Sequence, residues 1–333
     1  MKYTIAVIAT VLNEADSIRD LMDSLVAQTQ APDEIIMVDG GSRDSTVQIL
    51  QSYCDKLPIR ILIEPGCTIS QGRNRAIEAA QSELIAATDA GLWLSPLWVE
   101  KLAQPYKHDS NLHVVGGFFE ADARSVFEIA LGAAVSRLLD EIVPDTFLPG
   151  SRSIAYRKSD WLAVGGYPEW LDFGEDMVFA LNLRRLSLPF AFAPEAIIHF
   201  RPRGTLRAFF KQYHHYACGD GKADLWRYRH LLRYGTYLLA IPLIGLLGVV
   251  GHPLAWLLYL VGAVVYLYQP YRRLAHALHT APVISPFRIL EAIWLLPLIR
   301  IIGDVGKMSG YPLGLYWRWR NKPANWRCEL DTP

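Results

Sequence analysis

The strongest constraint on this sequence is a long stretch without charged side chains. Residues 234–271, between Arg233 and Arg272, are 38 consecutive positions with no Asp, Glu, Lys or Arg. As an α-helix the stretch would be roughly 57 Å long, at about 1.5 Å per residue. The hydrocarbon core of a bilayer is about 30 Å thick. The stretch is therefore long enough to cross a membrane twice.

A turn-like tripeptide, Gly251-His252-Pro253, divides this stretch near its middle. We predict a helical hairpin over about 234–268. Arginines flank both of its ends, and the positive-inside rule assigns such flanks to the cytoplasm. The alternative is a buried hairpin in a soluble protein, but two consecutive charge-free stretches are rare in a soluble core. The prediction is a multi-pass protein of the cell (inner) membrane.

A third apolar segment, about 284–303, is interrupted by the charged residues Arg288, Glu291 and Arg300. Charges at these positions make a full crossing costly, so we predict a re-entrant or interfacial helix. A basic C-terminal tail follows, with Arg318, Arg320, Lys322 and Arg327. Together with the hairpin, these segments predict a membrane region over residues 226–333.

The first part of the chain, residues 1–225, is predicted to form a cytoplasmic α/β domain. Short β-rich runs alternate with helical patterns, which is typical of a parallel sheet covered by helices. The predicted strands are residues 3–11, 34–38, 59–64, 83–88 and 191–200.

Carboxylates follow three of these strands. Glu14, Asp39 and Asp89 each lie just after or at the end of a predicted strand. One such residue alone is more often a helix cap or a turn former. The carboxyl ends of parallel strands meet at one sheet edge, where α/β proteins bind ligands. The recurrence of acidic residues there favours a binding site.

Composition and missing motifs argue against three kinds of site, namely a nucleic-acid surface, a Rossmann dinucleotide site and a P-loop. The chain has 33 Lys+Arg and 33 Asp+Glu, so its formal net charge of +0 offers no basic field for nucleic acid. No GxGxxG follows the first strand and no GxxxxGK[ST] occurs. A bound nucleotide must therefore be held by other means.

Five motifs follow one another along the chain. They are Thr10-Val11-Leu12-Asn13-Glu14, Val38-Asp39-Gly40-Gly41-Ser42-Arg43-Asp44-Ser45-Thr46, Gly72-Arg73-Asn74, Thr88-Asp89-Ala90-Gly91 and Gly174-Glu175-Asp176. In this order they resemble the motifs of family 2 glycosyltransferases with the GT-A fold, over roughly residues 1–220. Gln212 and Gly219-Asp220-Gly221 resemble the membrane-anchored branch that makes exopolysaccharide repeat units. The resemblance implies an α/β GT-A domain with a Rossmann-like, mostly parallel sheet, followed by C-terminal transmembrane or interfacial helices.

The resemblance also implies the roles of individual residues. Asp176 corresponds to the catalytic base of the family, and Glu175 lies beside it. The chemistry agrees with this role, because an acceptor hydroxyl needs a group that takes its proton. Asp89 corresponds to the first aspartate of the metal motif, which would hold Mn²⁺ or Mg²⁺ against a diphosphate leaving group. The implied nucleotide-sugar contacts are Thr10, Leu12, Glu14, Asp39, Arg73 and Asp89.

The metal motif departs from the family pattern. It reads Asp89-Ala90-Gly91, so the carboxylate expected at the third position is absent. His199, at the end of a predicted strand, is a candidate second metal ligand. The alternative is a buried structural histidine.

A second departure concerns the acceptor side. Processive members of the family carry QxxRW, whereas this chain has Gln212 followed by His215 and Tyr216. We interpret these three residues as acceptor or gating residues. One hairpin is too little to enclose a translocation pore, so the addition of a single sugar is favoured over processive synthesis.

These observations predict an inverting, metal-dependent glycosyltransferase. It would move one sugar from a UDP- or GDP-sugar to a polyprenyl-linked acceptor at the cytoplasmic membrane face, in surface or exopolysaccharide assembly. Two alternatives remain open. One is a polyprenyl-phosphate sugar synthase, and the other is a catalytically silent membrane scaffold that binds a nucleotide sugar. The predicted partners are the donor, the acceptor and membrane lipids, but not nucleic acid.

Overall fold

The computed structural model describes residues 3–280 and 285–323. The chain divides into two compact units. The first unit lies within Met1–Asp122 and Leu138–Arg201, and the second within Ala123–Arg137 and Pro202–Pro333. The division at 225 and 226, made from the sequence to separate a membrane region, stays a prediction.

The first unit is built on an eight-stranded sheet. Its strands are β1 (Ile5–Val11), β2 (Glu34–Asp39), β3 (Ile59–Ile63), β4 (Leu84–Ala87), β5 (Leu92–Leu94), β6 (Val114–Ala121), β7 (Ile154–Arg157) and β8 (Phe190–Phe200). Their order in the sheet is β3-β2-β1-β4-β7-β6-β8-β5. The parallel pairing predicted for the first four strands is confirmed. Antiparallel pairs join β4 to β7, β7 to β6 and β8 to β5, so the whole sheet is mixed.

Helices occur in both units. In chain order they are α1 (Ile18–Val26), α2 (Thr46–Gln51), α3 (Ile69–Ala79), α4 (Trp98–His108), α5 (Val126–Val135), α6 (Lys158–Ala163), α7 (Glu175–Arg185), α8 (Leu206–Ala223), α9 (Arg227–Tyr234), α10 (Ile241–Leu246), α11 (Leu257–Thr280) and α12 (Pro286–Asn321). Of these, α5 and α8 to α12 belong to the second unit.

Both faces of β1 are buried, which explains its continuous apolar sequence. Ile5 and Val7 belong to the core beneath α1 and α4, whereas Ala6 and Ile8 belong to the core beneath α3 and α7. All four residues are fully buried. Strands covered by helices on both faces lose the alternation of polar and apolar residues, as in other parallel sheets.

Helix α3 begins four residues before the predicted helix, which starts at Arg73. Thr68 and Gln71 form a capping box, in which each side chain accepts a hydrogen bond from the other residue's backbone N–H. One turn later, a Cβ added at Gly72 would lie 2.5 Å from Cγ2 of Thr10 on β1. The absence of a side chain at Gly72 therefore lets α3 approach the sheet closely, and this approach positions Arg73.

Two helical stretches of the second unit are long and apolar enough to cross a membrane. They are Arg227–Gly251, which includes π-helical turns around α10, and Pro253–Thr280. Only 6% of the most apolar window of each is buried within the protein. Large exposed apolar surfaces mark a membrane or a partner rather than contact with water. The helices predicted on either side of the tripeptide at 251–253 are confirmed.

The third C-terminal helix is longer than the predicted segment at 284–303. Helix α12 runs over Pro286–Asn321, so Arg318 and Arg320 lie in its last turn rather than in a tail. Residues 281–284 and the predicted tail residue Arg327 lie outside the described residues. Helix α12 contains a row of glycines, which would disfavour an isolated helix. The helix continues through them because this row packs against α8. The row consists of Gly303, Gly306, Gly310 and Gly314.

The backbones of α12 and α8 touch along this row. A Cβ at Gly310 would overlap the carbonyl oxygen of His214, and a Cβ at Gly314 would overlap that of Cys218. Small residues at this spacing allow close helix packing, in water or in lipid. The glycine spacing gave a signal for this contact that the sequence-based prediction did not use.

Gly310→Ala is expected to lower the stability of the second unit by about 1–3 kcal/mol, since the added methyl forces α12 away from α8. The control is Gly262→Ala on α11, where a Cβ would have no neighbour within 4 Å. It should be neutral or stabilising, by up to about 1 kcal/mol. Thermal unfolding of the detergent-solubilised full chain measures both. Equal midpoints for the two variants would contradict the close packing.

Candidate active site

A buried arginine connects two elements of the first unit. Arg73 on α3 is 2% exposed. Its Nη2 lies 2.7 Å from Oδ1 of Asp89, and its Nη1 lies 2.6 Å from Oε1 of Glu175. Burial alone would lower the pKa of Arg73, but the two carboxylates outweigh burial and raise this pKa. The guanidinium is therefore charged, and it ties the loop after β4 to the start of α7.

Two acidic residues at the start of α7 have different surroundings. The helix follows Gly174, whose φ of 79° lies in the left-handed region that favours glycine. Glu175 is 6% exposed, and burial raises its pKa to about 7, opposed by Arg73 and supported by Asp176. Asp176 is only partly buried, and its Oδ1 accepts a hydrogen bond of 2.8 Å from the backbone N–H of Met177. The N-terminus of α7 thus presents one open carboxylate beside one buried carboxylate.

Asp39 at the end of β2 has an unused hydrogen-bond acceptor. Its side chain is almost fully buried, and its Oδ2 accepts hydrogen bonds of 2.9 Å from the backbone N–H groups of Gly41 and Ser42. Its Oδ1 is also buried but has no hydrogen-bond partner within residues 3–280 or 285–323. Buried acceptors are almost always satisfied. The arrangement suits a ligand that donates an N–H to this oxygen.

Hydrogen bonds join the loop after β1 to the loop after β2. The backbone N–H of Asn13 donates to Oγ of Ser42 at 2.8 Å, and Oδ1 of Asn13 accepts from the backbone N–H of Arg43 at 2.9 Å. The backbone N–H of Glu14 donates to Oγ1 of Thr46 at 2.8 Å. These bonds bring together two of the motifs that the sequence singles out and hold Glu14 near Asp39's loop.

Thr10 lies near the end of β1, and Leu12 is the first residue after this strand. Thr10 is partly buried and contacts Gly72 of α3. Leu12 is 53% exposed, and its Cδ1 lies 3.6 Å from where a Cβ of Gly40 would be. An exposed leucine next to a glycine loop leaves a flat apolar surface that a planar ring can cover.

Asp89 has one carboxylate oxygen that a cation can use. Oδ1 is engaged by Arg73, whereas Oδ2 has a longer contact of 3.5 Å to Nε of Arg152. The carboxylate of Glu14 lies beside Gly91, with Oε2 3.5 Å from the position of a Cβ there. No cluster of three or more His, Cys, Asp or Glu side chains occurs in the described ranges. The donor set fits a hard cation held by one protein carboxylate and otherwise by phosphate oxygens and water.

His199, the second predicted metal ligand, is enclosed by other side chains. Its ring stacks on Trp93 with 3.6 Å between centroids, and its Nδ1 lies 3.9 Å from Oε2 of Glu120. Burial lowers the pKa of His199, opposed by Glu120 and Asp122, so the imidazole is mainly neutral at pH 7. A neutral imidazole can bind a metal, but its metal role stays a prediction.

The structure adds two residues that the sequence had not assigned. Asn74 clamps the turn before α7: its Nδ2 donates to the Tyr167 carbonyl at 3.0 Å, and its Oδ1 accepts from the Tyr167 N–H at 2.9 Å. Arg152 adds a second cation beside Asp89. The Gly72-Arg73-Asn74 motif was a signal for the first residue. The second lies just before β7, outside the five motifs.

The predicted acceptor or gating residues lie on α8 of the second unit. Nε2 of Gln212 donates to the hydroxyl of Tyr216 at 2.7 Å. Burial, with His214 and Lys211, lowers the pKa of His215. Their role in acceptor binding or gating stays a prediction.

Comparisons with known proteins agree with this architecture. Residues 6–133 match the model of glycosyl transferase family 2, and residues 133–296 match that of glycosyl transferase family group 2. The chain is 35% identical over 99 residues to the glycosyltransferase YibD of Escherichia coli, covering 29% of each protein. It is 24% identical over 240 residues to the hyaluronan synthase of Pasteurella multocida, covering 70% of this chain and 23% of that one. The chain thus spans less than a third of the length of either relative.

A solved structure has the same fold. The mannosyltransferase PcManGT of Pyrobaculum calidifontis, in complex with GDP-Man and Mn²⁺, superposes with a TM-score of 0.52 at 17% identity. The match covers 97% of this chain and 88% of that one. Both family models, the order of motifs and the eight-stranded sheet agree: the chain carries glycosyltransferase family 2 domains and has the GT-A fold.

Proposed function

We propose that this chain is an inverting, metal-dependent glycosyltransferase. It adds one sugar from a UDP- or GDP-sugar to a polyprenyl-linked acceptor at the cytoplasmic face of the cell membrane, in the assembly of a surface or exopolysaccharide. The observation that carries the proposal is the pair of short ion contacts of Arg73. They link Asp89 on the donor side to the turn that bears Asp176.

The donor's nucleoside is assigned to the edge formed by β1 and β2. Uracil and guanine both carry a ring N–H that can donate to the unpaired Oδ1 of Asp39. Leu12 offers an exposed apolar surface for the ring. The related fold of PcManGT was solved with GDP-Man, which supports a nucleotide sugar as the donor.

A divalent cation, Mn²⁺ or Mg²⁺, would be held by Oδ2 of Asp89, with His199 as the second candidate ligand. When bound, the cation supplies neutralisation of the charge on the diphosphate leaving group. The presence of Mn²⁺ in the PcManGT complex supports this choice of cofactor.

The chain's own residues perform the proton transfer and the positioning. Asp176 accepts the proton of the acceptor hydroxyl while that oxygen forms a bond to the anomeric carbon of the sugar. The bond from the anomeric carbon to the diphosphate breaks, and the nucleoside diphosphate leaves with the bonding electrons. A single displacement inverts the anomeric centre. In this scheme Glu175 is a positioning residue, because its carboxylate is occupied by Arg73.

The acceptor assignment rests on the two apolar helices of the second unit, whose surfaces are largely exposed. A protein that embeds these helices in a bilayer meets its acceptor at the membrane surface, where polyprenyl carriers present their headgroups.

The proposal is tested with the full chain in liposomes. Labelled UDP- and GDP-sugars are offered together with polyprenyl-diphosphate-linked saccharides, and the products are identified by mass spectrometry and by NMR of the anomeric proton. Transfer of one sugar with inversion supports the proposal. A product on polyprenyl monophosphate supports the synthase alternative instead, and binding of a donor without any turnover supports the scaffold alternative.

Asp89→Ala is expected to weaken Mn²⁺-dependent donor binding at least about tenfold, because the variant loses the one carboxylate assigned to the cation. Calorimetric titration with Mn²⁺, and with EDTA as the metal-free reference, measures the effect. His199→Ala in the same assay tests the second ligand. Unchanged donor affinity in His199→Ala would make that residue structural, and unchanged affinity in Asp89→Ala would remove the metal assignment.

A further inference from the structure

A small cleft in the second unit combines apolar and cationic side chains. It lies between α5, α8 and α12. Phe209 and Ile299 form part of its apolar lining, and Arg300, Asp304 and Lys307 supply its charged groups. The residues that line the cleft all belong to the second unit, whereas those assigned to the donor and to the base belong to the first.

The carboxylate in this cleft is already satisfied. Asp304 is 7% exposed, and its Oδ1 accepts a hydrogen bond of 2.8 Å from Nε of Arg233. Its Oδ2 accepts hydrogen bonds from the hydroxyls of Tyr266 at 2.6 Å and Tyr237 at 3.2 Å. Arg233 therefore balances the charge of Asp304, and little of this carboxylate remains to neutralise another cation.

Among the described residues, Lys307 has no anionic partner at hydrogen-bond distance. Its Nζ lies 4.0 Å from Oδ1 of Asp304, which is beyond hydrogen-bond distance. The ammonium also lies over the ring of Tyr213, 4.8 Å from the centroid. Burial, together with the positive charge of Arg233, lowers the pKa of Lys307 to about 8. An anion bound beside it would stabilise the charged form.

Arg300 is the second cation of the cleft, and it forms no ion pair within residues 3–280 or 285–323. Its Nη1 makes one long hydrogen bond, 3.4 Å, to the carbonyl of Ala134, and its guanidinium lies 4.8 Å from the centre of the Tyr266 ring. Its Nε is buried and has no hydrogen-bond partner in the described part of the chain. Two desolvated cations at one cleft are costly unless an anion joins them.

We infer that this cleft binds the phosphate or diphosphate group of a prenyl lipid. Arg300 and Lys307 contact the anionic oxygens, and the apolar chain lies outside the cleft, along the exposed apolar side chains of the same helix. Exposed apolar residues beside the two cations, Ile301 and Val305, favour a lipid over a free anion. Tyr237 and Tyr266, which complete the cleft's polar network, belong to the two helices long enough to span a membrane.

The inference rests on the proposed function, since it assigns a site to the anionic group of the acceptor. A phosphate on an apolar chain has two membrane sources, a prenyl carrier and an ordinary anionic phospholipid. The length and branching of the chain and the number of phosphates distinguish them, so competition between the two kinds of lipid is informative.

Binding is measured on the full chain in nanodiscs of neutral phosphatidylcholine, with radiolabelled farnesyl diphosphate as the probe and no sugar donor. Wild-type protein is expected to bind the probe saturably. Arg300→Met and Lys307→Met should each weaken binding about tenfold or more, the effect of losing a charge-assisted hydrogen bond. Arg288→Met is the matched control, because Arg288 is exposed near the start of the same helix. It should bind as wild type does.

One further variant and two competing ligands test how specific the binding is. Lys307→Arg keeps the charge and should retain most of the affinity. Equal affinity in Arg300→Met, Lys307→Met and Arg288→Met would overturn the site. Displacement by inorganic diphosphate as effective as displacement by unlabelled farnesyl diphosphate would overturn the lipid assignment. Equally effective displacement by phosphatidic acid would assign the cleft to bulk anionic lipid and overturn the acceptor role.

Folding and the proposed function are controlled separately. Donor binding by the first unit, measured on the same preparations, should be unchanged in all variants, which excludes general misfolding. The probe assay requires no transfer, so a failure of the glycosyltransferase proposal would appear as absent turnover with intact probe binding.

Discussion

Asp176→Asn is expected to lower the transfer rate by about 10² to 10⁴, the usual contribution of a general base. Asparagine has nearly the same size, and its Oδ1 can still accept the hydrogen bond from the backbone N–H of Met177. The substitution therefore removes the proton acceptor while it keeps the start of α7 intact. Donor affinity, measured by calorimetry, should stay within about twofold of wild type.

A matched control separates the base from a general effect of charge at a helix N-terminus. Asp20 lies in the first turn of α1 and is exposed. Asp20→Asn removes the same charge from the first turn of another helix and should leave the rate unchanged. Turnover of Asp176→Asn close to the wild-type value would remove Asp176 from the mechanism.

Arg73→Met is expected to lower the free energy of unfolding by about 3–5 kcal/mol, the effect of removing one partner of a buried ion pair. Methionine fills much of the volume of the arginine stem but leaves the Asp89 and Glu175 carboxylates without their shared cation. Denaturant unfolding of the solubilised full chain measures the loss, and transfer should disappear with it.

The loss should grow as pH rises above about 7, because below that pH Glu175 is protonated in the folded state of both proteins. The pKa of Glu175 is already raised to about 7 in the folded protein, from 4.5, and removal of Arg73 raises this pKa further. A carboxyl group whose pKa is higher in the folded protein than in the unfolded chain costs no stability while it is protonated in both states. It lowers the free energy of unfolding as pH rises from its unfolded pKa to its folded pKa. Stability that depends on pH in the opposite direction would contradict the arrangement.

The neighbouring Arg75 provides the control on the same helix. It pairs with Glu78 at 2.9 Å, but both side chains are at least half exposed. Exposed pairs contribute little because water and salt screen them. Arg75→Met should therefore change stability by less than about 1 kcal/mol. A comparable loss in both variants would show that the buried bridge has no special role.

Much of the first unit was predictable because its signals are local. The apolar runs that become β1 to β4 and the amphipathic pattern of α1 follow directly from burial against helices. The parallel direction of these strands also agrees with the motifs, which lie together at the carboxyl ends of the strands. The mixed half of the sheet, from β7 to β5, was less predictable, because strands as short as β5, with 3 residues, and β7, with 4 residues, carry little local signal.

The candidate site was predictable as a set of residues but not as a network. Asp39, Asp89 and Asp176 were named from motifs, and the structure gives each of them a defined local environment. The sequence did not indicate that Arg73 joins Asp89 to Glu175. A pairing between residues 102 positions apart depends on how α3 and α7 pack on the same face of the sheet.

The sequence alone determined the apolar character of residues 234–271 and the α/β character of the first part, and it named the candidate side chains of the site. These properties follow from the side chains themselves and from their spacing along the chain. The tertiary structure decided which carboxylate is occupied and which is open, where Asp39 keeps an unpaired oxygen, and how glycines bring α12 onto α8. Such properties depend on desolvation and on contacts between distant segments, and neither exists until the chain has folded.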